Sequence, residues 1–481
     1  MSRFLRVTVL GLILIAHVAV AHEHHDEVPE EEASQPVDTI LWLHMFLQGI
    51  VWGIMFPIGM VLGLTRSRWH VPLQATGYAL TAGGYILGHA HKGRQFLPSA
   101  HGKFATILFV PIAAQLAIGI YLKLHIHEKS IRPYFVVLHG IIGKLYPIFG
   151  WTQALFGVLA FRGYCRGFHL GQCLAHYIMG SGFVAYAVIM TIILVIGEQW
   201  MRRSGRSPEV FDSWVITAWG IFNTFTEHHG GAWSAKDMQH TILGVLWWTG
   251  GMLGIYLSRN NQRNVVPAII LFLTGWGMSE HAQALMISTK VHAMFGHTLM
   301  LAGVTRTLEV CYFAPSYASD HTDDDTTSEH TLADGTNARN TSSAKAAASR
   351  SFRYLTPFLL TAAGLLFMSA TDEELEYVQE IHMDHVTYIL IMFSTAFLIY
   401  TFIVVLINLY TTTGRNASNS NSKVVDDGNI EMVIPGGRSK WYSRVPTRGG
   451  SASGVRANAL PTHVLGEDEE EEDMMAPQLR I

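Results

Sequence analysis

Residues 40–63 read ILWLHMFLQGIVWGIMFPIGMVLG, a run without Asp, Glu, Lys or Arg and with a single histidine near its start. A helix needs about 20 apolar residues to cross a bilayer core of roughly 30 Å, and this run is long enough. Comparable runs follow near 71–88, 102–122, 134–161, 174–197, 212–227, 239–258, 265–287, 291–313, 354–370 and 386–410. The expected fold class is therefore all-α: a polytopic integral membrane protein of about eleven transmembrane helices, its main partner the lipid bilayer. Composition agrees, with 49% hydrophobic and 15% charged residues over 481 positions, a balance far from that of soluble domains. A net charge of −4 offers nothing to nucleic acid.

The N-terminus MSRFLR and the apolar run ending Ala19-Val20-Ala21 have the form of a signal peptide over 1–21: a basic start, a short apolar centre and small residues two apart. An uncleaved first helix is the alternative. Cleavage after Ala21 would expose a His- and acid-rich leader, 22–39, to the lumen or cell exterior. Its HEHHDE tract is either a solvated leader or a weak Cu(II) or Ni(II) site. Membrane segments then fall into a four-helix domain at 40–161, a second His-rich domain at 162–313 and two further helices at 354–410. Polar, low-complexity stretches at 314–353 and 411–481, the latter ending in EDEEEED, are expected to be disordered and cytosolic.

Charge sets the expected orientation. With the N-terminus outside, internal loops carry Arg66 and Arg68, then Lys123, Lys129 and Arg132, then Arg202, Arg203 and Arg206, then Arg259 and Arg263. This satisfies the positive-inside rule, with one external exception in Lys92, Arg94 and Lys103. The expected location is a membrane of the secretory pathway, such as the plasma membrane or vacuole, with the C-terminus cytosolic. Cys165 and Cys173 share an external loop where a disulfide is permitted, and Cys311 is left as a free thiol.

Ionisable residues inside apolar helices are costly and call for a reason. His44, His70, His101 and His139 stand at or near the ends of the first four helices. Following the alternation, His44 and His101 reach the outer level and His70 and His139 the inner one. Two imidazoles from facing helices suit the two axial positions of one haem iron, so the set can hold two haems b stacked across the membrane. Interhelical hydrogen bonding is the bland alternative. Gly49-x-x-x-Gly53, Gly59-x-x-x-Gly63 and Gly140, Gly143, Gly150 and Gly157 are expected to allow close helix contact.

The stretches LHMFLQGIVWGIMFPIGMVL, HVPLQ, GRQFLPSAHGKFATILFVPIAAQ and LHGIIGKLYPIFGWTQALFG, with Trp52, Gly53, Pro57 and Gly59, resemble the cytochrome b-561 family. The resemblance covers 40–161 and implies that His44 pairs with His101 and His70 with His139. His70 stands just ahead of its predicted helix and is followed by Pro72.

The second half carries His176, Glu227, His228, His229, His240, Glu280, His281, His292 and His297, all near the outer surface in this topology. Imidazole and carboxylate suit Fe, Cu or Zn. His292 and His297 are five apart, roughly 140° around a helix, so a shared site would draw on several helices. A hydrogen-bonded belt around a polar pocket is the alternative. The segments MQHTILGVLWWTGGMLG, HAQALM and VHAMFGHTLM resemble the transmembrane protein forty-five family, and the order of the two halves resembles the fungal Ytp family.

The leading expectation is a di-haem transmembrane electron carrier, a b-type cytochrome oxidoreductase. It would pass electrons from a cytosolic donor to an external acceptor such as a metal ion or small molecule, as a ferric or cupric reductase does. No residue is assigned a catalytic role, and no phosphate loop, nucleophile elbow or dinucleotide fingerprint is present. The alternatives are a metal transporter or sensor without redox chemistry and a structural membrane protein with a degenerate haem core.

Overall fold

The computed structural model describes residues 30–33, 35–226, 232–280, 283–313 and 335–417. The signal segment, half of the leader and residues 418–481 lie outside the described residues. All regular structure among those described is helical, and one long helix stands at each of the eleven expected places. The helices are α1 (Thr39–Leu64), α2 (His70–Ala90), α3 (Ala100–Lys123), α4 (Arg132–Arg162), α5 (Leu170–Val195) and α6 (Pro208–Thr226). They continue with α7 (Ala235–Leu257), α8 (Val266–Ser279), α9 (Met286–Leu308), α10 (Gly335–Met368) and α11 (His385–Thr412).

Six of these, α1, α3, α4, α5, α10 and α11, are long and apolar enough to cross a membrane by length and composition alone. α8, with 14 residues, is too short by that standard. α6 and α9 miss on polarity because their polar side chains turn inward. On α6, Glu209, Asp212, Ser213, Thr217 and Asn223 are buried while Trp214, Ile221, Phe222 and Phe225 are exposed. Apolar outside and polar inside is the reverse of a soluble helix and the arrangement lipid demands.

Three boundaries differ from the sequence reading. α2 begins at His70 itself, with Pro72 in the first turn, where no intrahelical N–H is required. α10 starts at Gly335, inside the stretch expected to be disordered, because Ala344 and Ala346 to Ala348 are strong helix formers. Residues 411–417 are also ordered, since α11 runs to Thr412 and a 3₁₀ turn covers Gly414–Asn416.

α1 contains a π-helical turn, Val51–Met55, just ahead of Pro57. Proline supplies no N–H to the ladder, and a widened turn is a common accommodation. Elsewhere close approach comes from glycine. A Cβ at Gly220 would stand 2.5 Å from the Trp248 nitrogen, joining α6 to α7, and one at Gly180 2.5 Å from the Gly364 oxygen, joining α5 to α10. α10 enters one continuous core with α5 and α9 through Leu360, Leu366 and Phe367 against Phe183, Phe295 and Leu299. The helices of 354–410 therefore share one core with α5 and α9.

The connections define two faces. On one, Arg94 donates to the Gln35 carbonyl at 3.2 Å, Arg166 to Pro98 at 3.4 Å, and Glu373 accepts from the Cys165 amide at 2.8 Å. Cys165 and Cys173 form a disulfide there, with Cα atoms 5.4 Å apart. Asp38 caps α1, and its carboxyl lies below the usual range because the Lys92 and Leu41 amides donate to it. Burial pushes Glu374 above the usual range and Tyr164 up to about 12. On the other face, the Thr65 carbonyl accepts from the Arg415 amide at 2.9 Å.

Candidate functional site: two histidine pairs

His44 on α1 and His101 on α3 face each other with ring centres 6.2 Å apart and planes at 90°. His70 on α2 and His139 on α4 do the same at 6.3 Å and 89°. The four sequence-predicted histidines thus meet as two pairs, one toward each face.

Both pairs are built from the same parts. His44 Nδ1 lies 2.7 Å from the Gly84 carbonyl, and a Cβ at Gly88 would stand 2.7 Å from the His44 ring. His70 Nδ1 lies 2.7 Å from the Gly59 carbonyl, and a Cβ at Gly63 would stand 2.8 Å from its ring. His101 Nδ1 lies 3.2 Å from the Gln153 carbonyl, and a Cβ at Gly157 would stand 3.2 Å from its ring. In each case the accepting carbonyl is four residues before the glycine, one helical turn, so a single stripe on the neighbouring helix both holds and admits the ring. A Cβ at Gly119 would stand 3.5 Å from the His139 ring, and four residues before Gly119 stands Gln115. Its Nδ1 has no hydrogen-bond partner among the described residues.

Glutamines repeat the symmetry. Gln48 and Gln74 each stand four residues after a histidine and donate to Thr81 at 3.2 Å and Phe56 at 3.4 Å. Gln115 and Gln153 donate across to the His139 carbonyl at 3.0 Å and the His101 carbonyl at 3.0 Å. Gly49, Gly53 and Gly140 have open space where a Cβ would be, so those three do not serve the close contact expected of them.

On each helix about 16 residues separate the two levels, roughly 24 Å at 1.5 Å per residue. An aromatic layer lies between. Phe56 sits 4.9 Å from Trp52, 5.3 Å from Tyr146 and 5.5 Å from Tyr78, and the Tyr78 and Tyr146 hydroxyls are 2.7 Å apart. A Cβ at Gly150 would stand 3.3 Å from Trp52, so the glycine lets Trp52 pack close against α4.

Comparison with known proteins locates the chain. Residues 149–411 match the family described as Protein YTP1-like, C-terminal, and residues 24–125 match a domain of unknown function. The chain belongs to the YTP1-like family. Protein YTP1 of Saccharomyces cerevisiae is 42% identical over 277 residues, 57% of this chain and 54% of that protein. An uncharacterised membrane protein of Schizosaccharomyces pombe is 25% identical over 227 residues, covering 37% of this chain and 44% of the relative. A second uncharacterised membrane protein of S. cerevisiae is 29% identical over 301 residues, 51% of this chain and 43% of the relative. The chain thus spans about half the length of the curated relatives it matches. No solved structure matches it.

The outer set predicted in the second half of this YTP1-like chain is more dispersed. Glu227, His228, His229 and His281 lie outside the described residues. His240 is half-buried in the first turns of α7, whereas Glu280 and His297 are exposed. His292 is buried and meets His176. The one group of three metal-ligating residues among those described, Cys165, Cys173 and Glu373, contains the disulfide.

A buried ionic cluster was not anticipated. Arg306 of α9, 2% exposed, bonds Glu209 at 2.8 Å, Asp212 at 3.1 Å and Glu309. Arg263 reaches Glu209 at 2.8 Å and Glu309 at 3.2 Å, and the Tyr186 hydroxyl donates to Asp212. The signal was present in Arg306 and Glu309 within the apolar run of the ninth segment, where ionisable residues stand out.

Proposed function

We propose that this membrane protein is a two-haem transmembrane electron carrier, with His44 and His101 holding one haem b and His70 and His139 the other. The observation that carries the reading is the spacing of the two pairs. Two imidazoles bound end-on to one metal at about 2.0–2.1 Å, each ring centre roughly 1.1 Å behind its nitrogen, have centres roughly 6.3 Å apart. The pairs stand at 6.2 Å and 6.3 Å.

The surroundings fit. Three Nδ1 atoms donate to backbone carbonyls, which leaves Nε2 as the ligand atom and fixes each ring. The Nδ1 of His139 is buried with no hydrogen-bond partner among the described residues, so this ring lacks the carbonyl support of the other three. Glycines opposite the His44 and His70 rings keep space that even a Cβ would fill. Haem held by these histidines would supply one-electron ferrous–ferric chemistry at each site.

The chain's own residues supply the rest. Gln48, Gln74, Gln115 and Gln153 tie the helix pairs at the levels of the sites, and Trp52, Phe56, Tyr78 and Tyr146 exclude water between them. The face bearing Arg66, Arg68, Lys123 and Lys129 is taken as cytosolic, the donor side, by its positive charge. The opposite face serves an external or lumenal acceptor, a ferric or cupric ion among the candidates, in a membrane of the secretory pathway.

A reduced-minus-oxidised absorption spectrum of the purified protein, with haem measured per chain, tests the reading. Two b-type haems per chain are expected, and His101→Ala should leave one. A colourless protein after expression with ample haem overturns it.

A further inference from the structure

We propose that Cys165, Cys173 and Glu373 form a redox-gated zinc site, absent while the disulfide is closed and assembled when its two sulfurs are reduced. The site is separate from the histidine pairs and does not depend on whether they hold haem.

Three segments bring the groups together. Cys165 lies in the turn after α4, Cys173 in the first turn of α5, and Glu373 in the first turn of the short helix Asp372–Glu380 between α10 and α11. Their two sulfurs and a carboxylate oxygen all lie within 4.8 Å of one another. Cys173 is buried, and the other two are half-buried. Glu373 is already in place, because its Oε2 accepts from the Cys165 amide at 2.8 Å.

The chemistry of this group changes with the bond. A sulfur binds metal as the thiolate, which the disulfide does not offer. A low-molecular-weight thiol reduces the pair by exchange: two reductant thiols become one disulfide, the Cys165–Cys173 bond opens, and each cysteine sulfur gains a hydrogen. Zinc then displaces two protons and leaves two thiolates. With the Glu373 carboxylate beside them, these thiolates repel one another unless a cation sits between.

The geometry admits that cation. Two sulfurs about 2.3 Å from a tetrahedral ion lie roughly 3.8 Å apart, a span that side-chain rotation reaches from Cα atoms 5.4 Å apart. Two thiolates, one carboxylate and a fourth position open to water suit zinc.

The closed bond is also one that reduction can open. It links residues only eight positions apart, so little chain entropy holds it shut. Cys165 sits at φ +64°, between Gly163 at +75° and Gly167 at +55°, a left-handed backbone that is costly for a residue with a Cβ. The loop stays anchored when the bond opens, since Arg166 donates to the Pro98 carbonyl at 3.4 Å and Arg162 pairs with Glu374 at 3.6 Å.

The test uses the full-length chain in detergent with Cys311→Ser, so that the pair is the sole source of thiols. Protein as isolated is compared with protein reduced by a phosphine, which is then removed without oxygen, and zinc is titrated against a competing chelator. Reduction should add one tightly held zinc per chain, with two sulfur ligands in the zinc-edge X-ray absorption spectrum. Glu373→Gln keeps an acceptor for the Cys165 amide but loses the charge. It should weaken the added site by about tenfold or more, at least the cost of losing an outer-sphere partner. Cysteines released by loss of the fold would take zinc without regard to Glu373, so equal affinity in that variant overturns the site. A disulfide that resists reduction in the folded protein, or equal zinc binding in both redox states, overturns it as well. Should Glu373→Gln fail to fold, the parent's spectrum decides, because added zinc with fewer than two sulfur ligands also overturns the site.

Discussion

The smallest unit on which the paired sites depend is a histidine facing a glycine one helix away. Gly88 opposes His44, Gly63 opposes His70, Gly157 opposes His101 and Gly119 opposes His139. An added side chain displaces the ring rather than a flexible tail, because the nearest atoms at Gly88 are His44 Cε1 and Nδ1, both 2.7 Å away. Gly88→Leu is therefore expected to lower haem from two per chain toward one, read from the absorption spectrum. Gly49→Leu, where nothing lies within 4 Å, should keep both. Equal loss in the two variants would show that the opposition has no special role. The histidines were legible in the sequence because an imidazole is conspicuous in an apolar run. Of their glycines only Gly63 and Gly157 were marked, and for close helix contact alone, since opposition to a given ring depends on cross-helix register that the sequence does not carry. Gly49-x-x-x-Gly53 has the same spacing as Gly59-x-x-x-Gly63, yet only the second pair meets another helix.

At the level of the helix, α9 shows how much polar work one apolar-looking segment does. It buries His292 near its first turns and Arg306 in its last, and the π turn that follows, Glu309–Phe313, brings Glu309 beside Arg306. The sequence reading places the helix at 291–313 but gives Arg306 and Glu309 no role. Burial changes their meaning. Glu209, Asp212 and Glu309 are all nearly inaccessible, so removing the guanidinium leaves buried carboxylates without their counter-charge. Arg306→Met should cost about 3–5 kcal/mol of stability, the usual penalty for breaking a buried pair. Adding Glu309→Gln to that variant should recover part of the loss, since one uncompensated charge goes with it. The measurement is the thermal midpoint of both variants in detergent. A midpoint for Arg306→Met equal to the parent's would mean that the cluster is hydrated and carries little of the fold.

Over the whole molecule the alternation of helices sorts charge as well as histidines. Arg66, Arg68, Lys123, Lys129, Arg259 and Arg415 belong to the face where the Thr65 carbonyl meets Arg415. Fewer basic residues occupy the other, and of these Arg162 is paired with Glu374 at 3.6 Å while Arg94 bonds a backbone carbonyl. Bilayers sort loops by such an imbalance, retaining the basic side in the cytosol. The expectation is read with single cysteines in a variant whose exposed thiol, Cys311, is replaced. Lys92→Cys and Gln379→Cys should react with an impermeant maleimide on sealed, right-side-out cells. Arg68→Cys, Ser130→Cys and Gln262→Cys should react only after permeabilisation. All five positions are exposed in the fold, so lack of reaction reports sidedness rather than burial. Labelling of all five from outside, or a pattern that mixes the two groups, would break the alternation on which the two levels of histidine rest. The inverse pattern would keep both levels and reverse the proposed direction of electron flow.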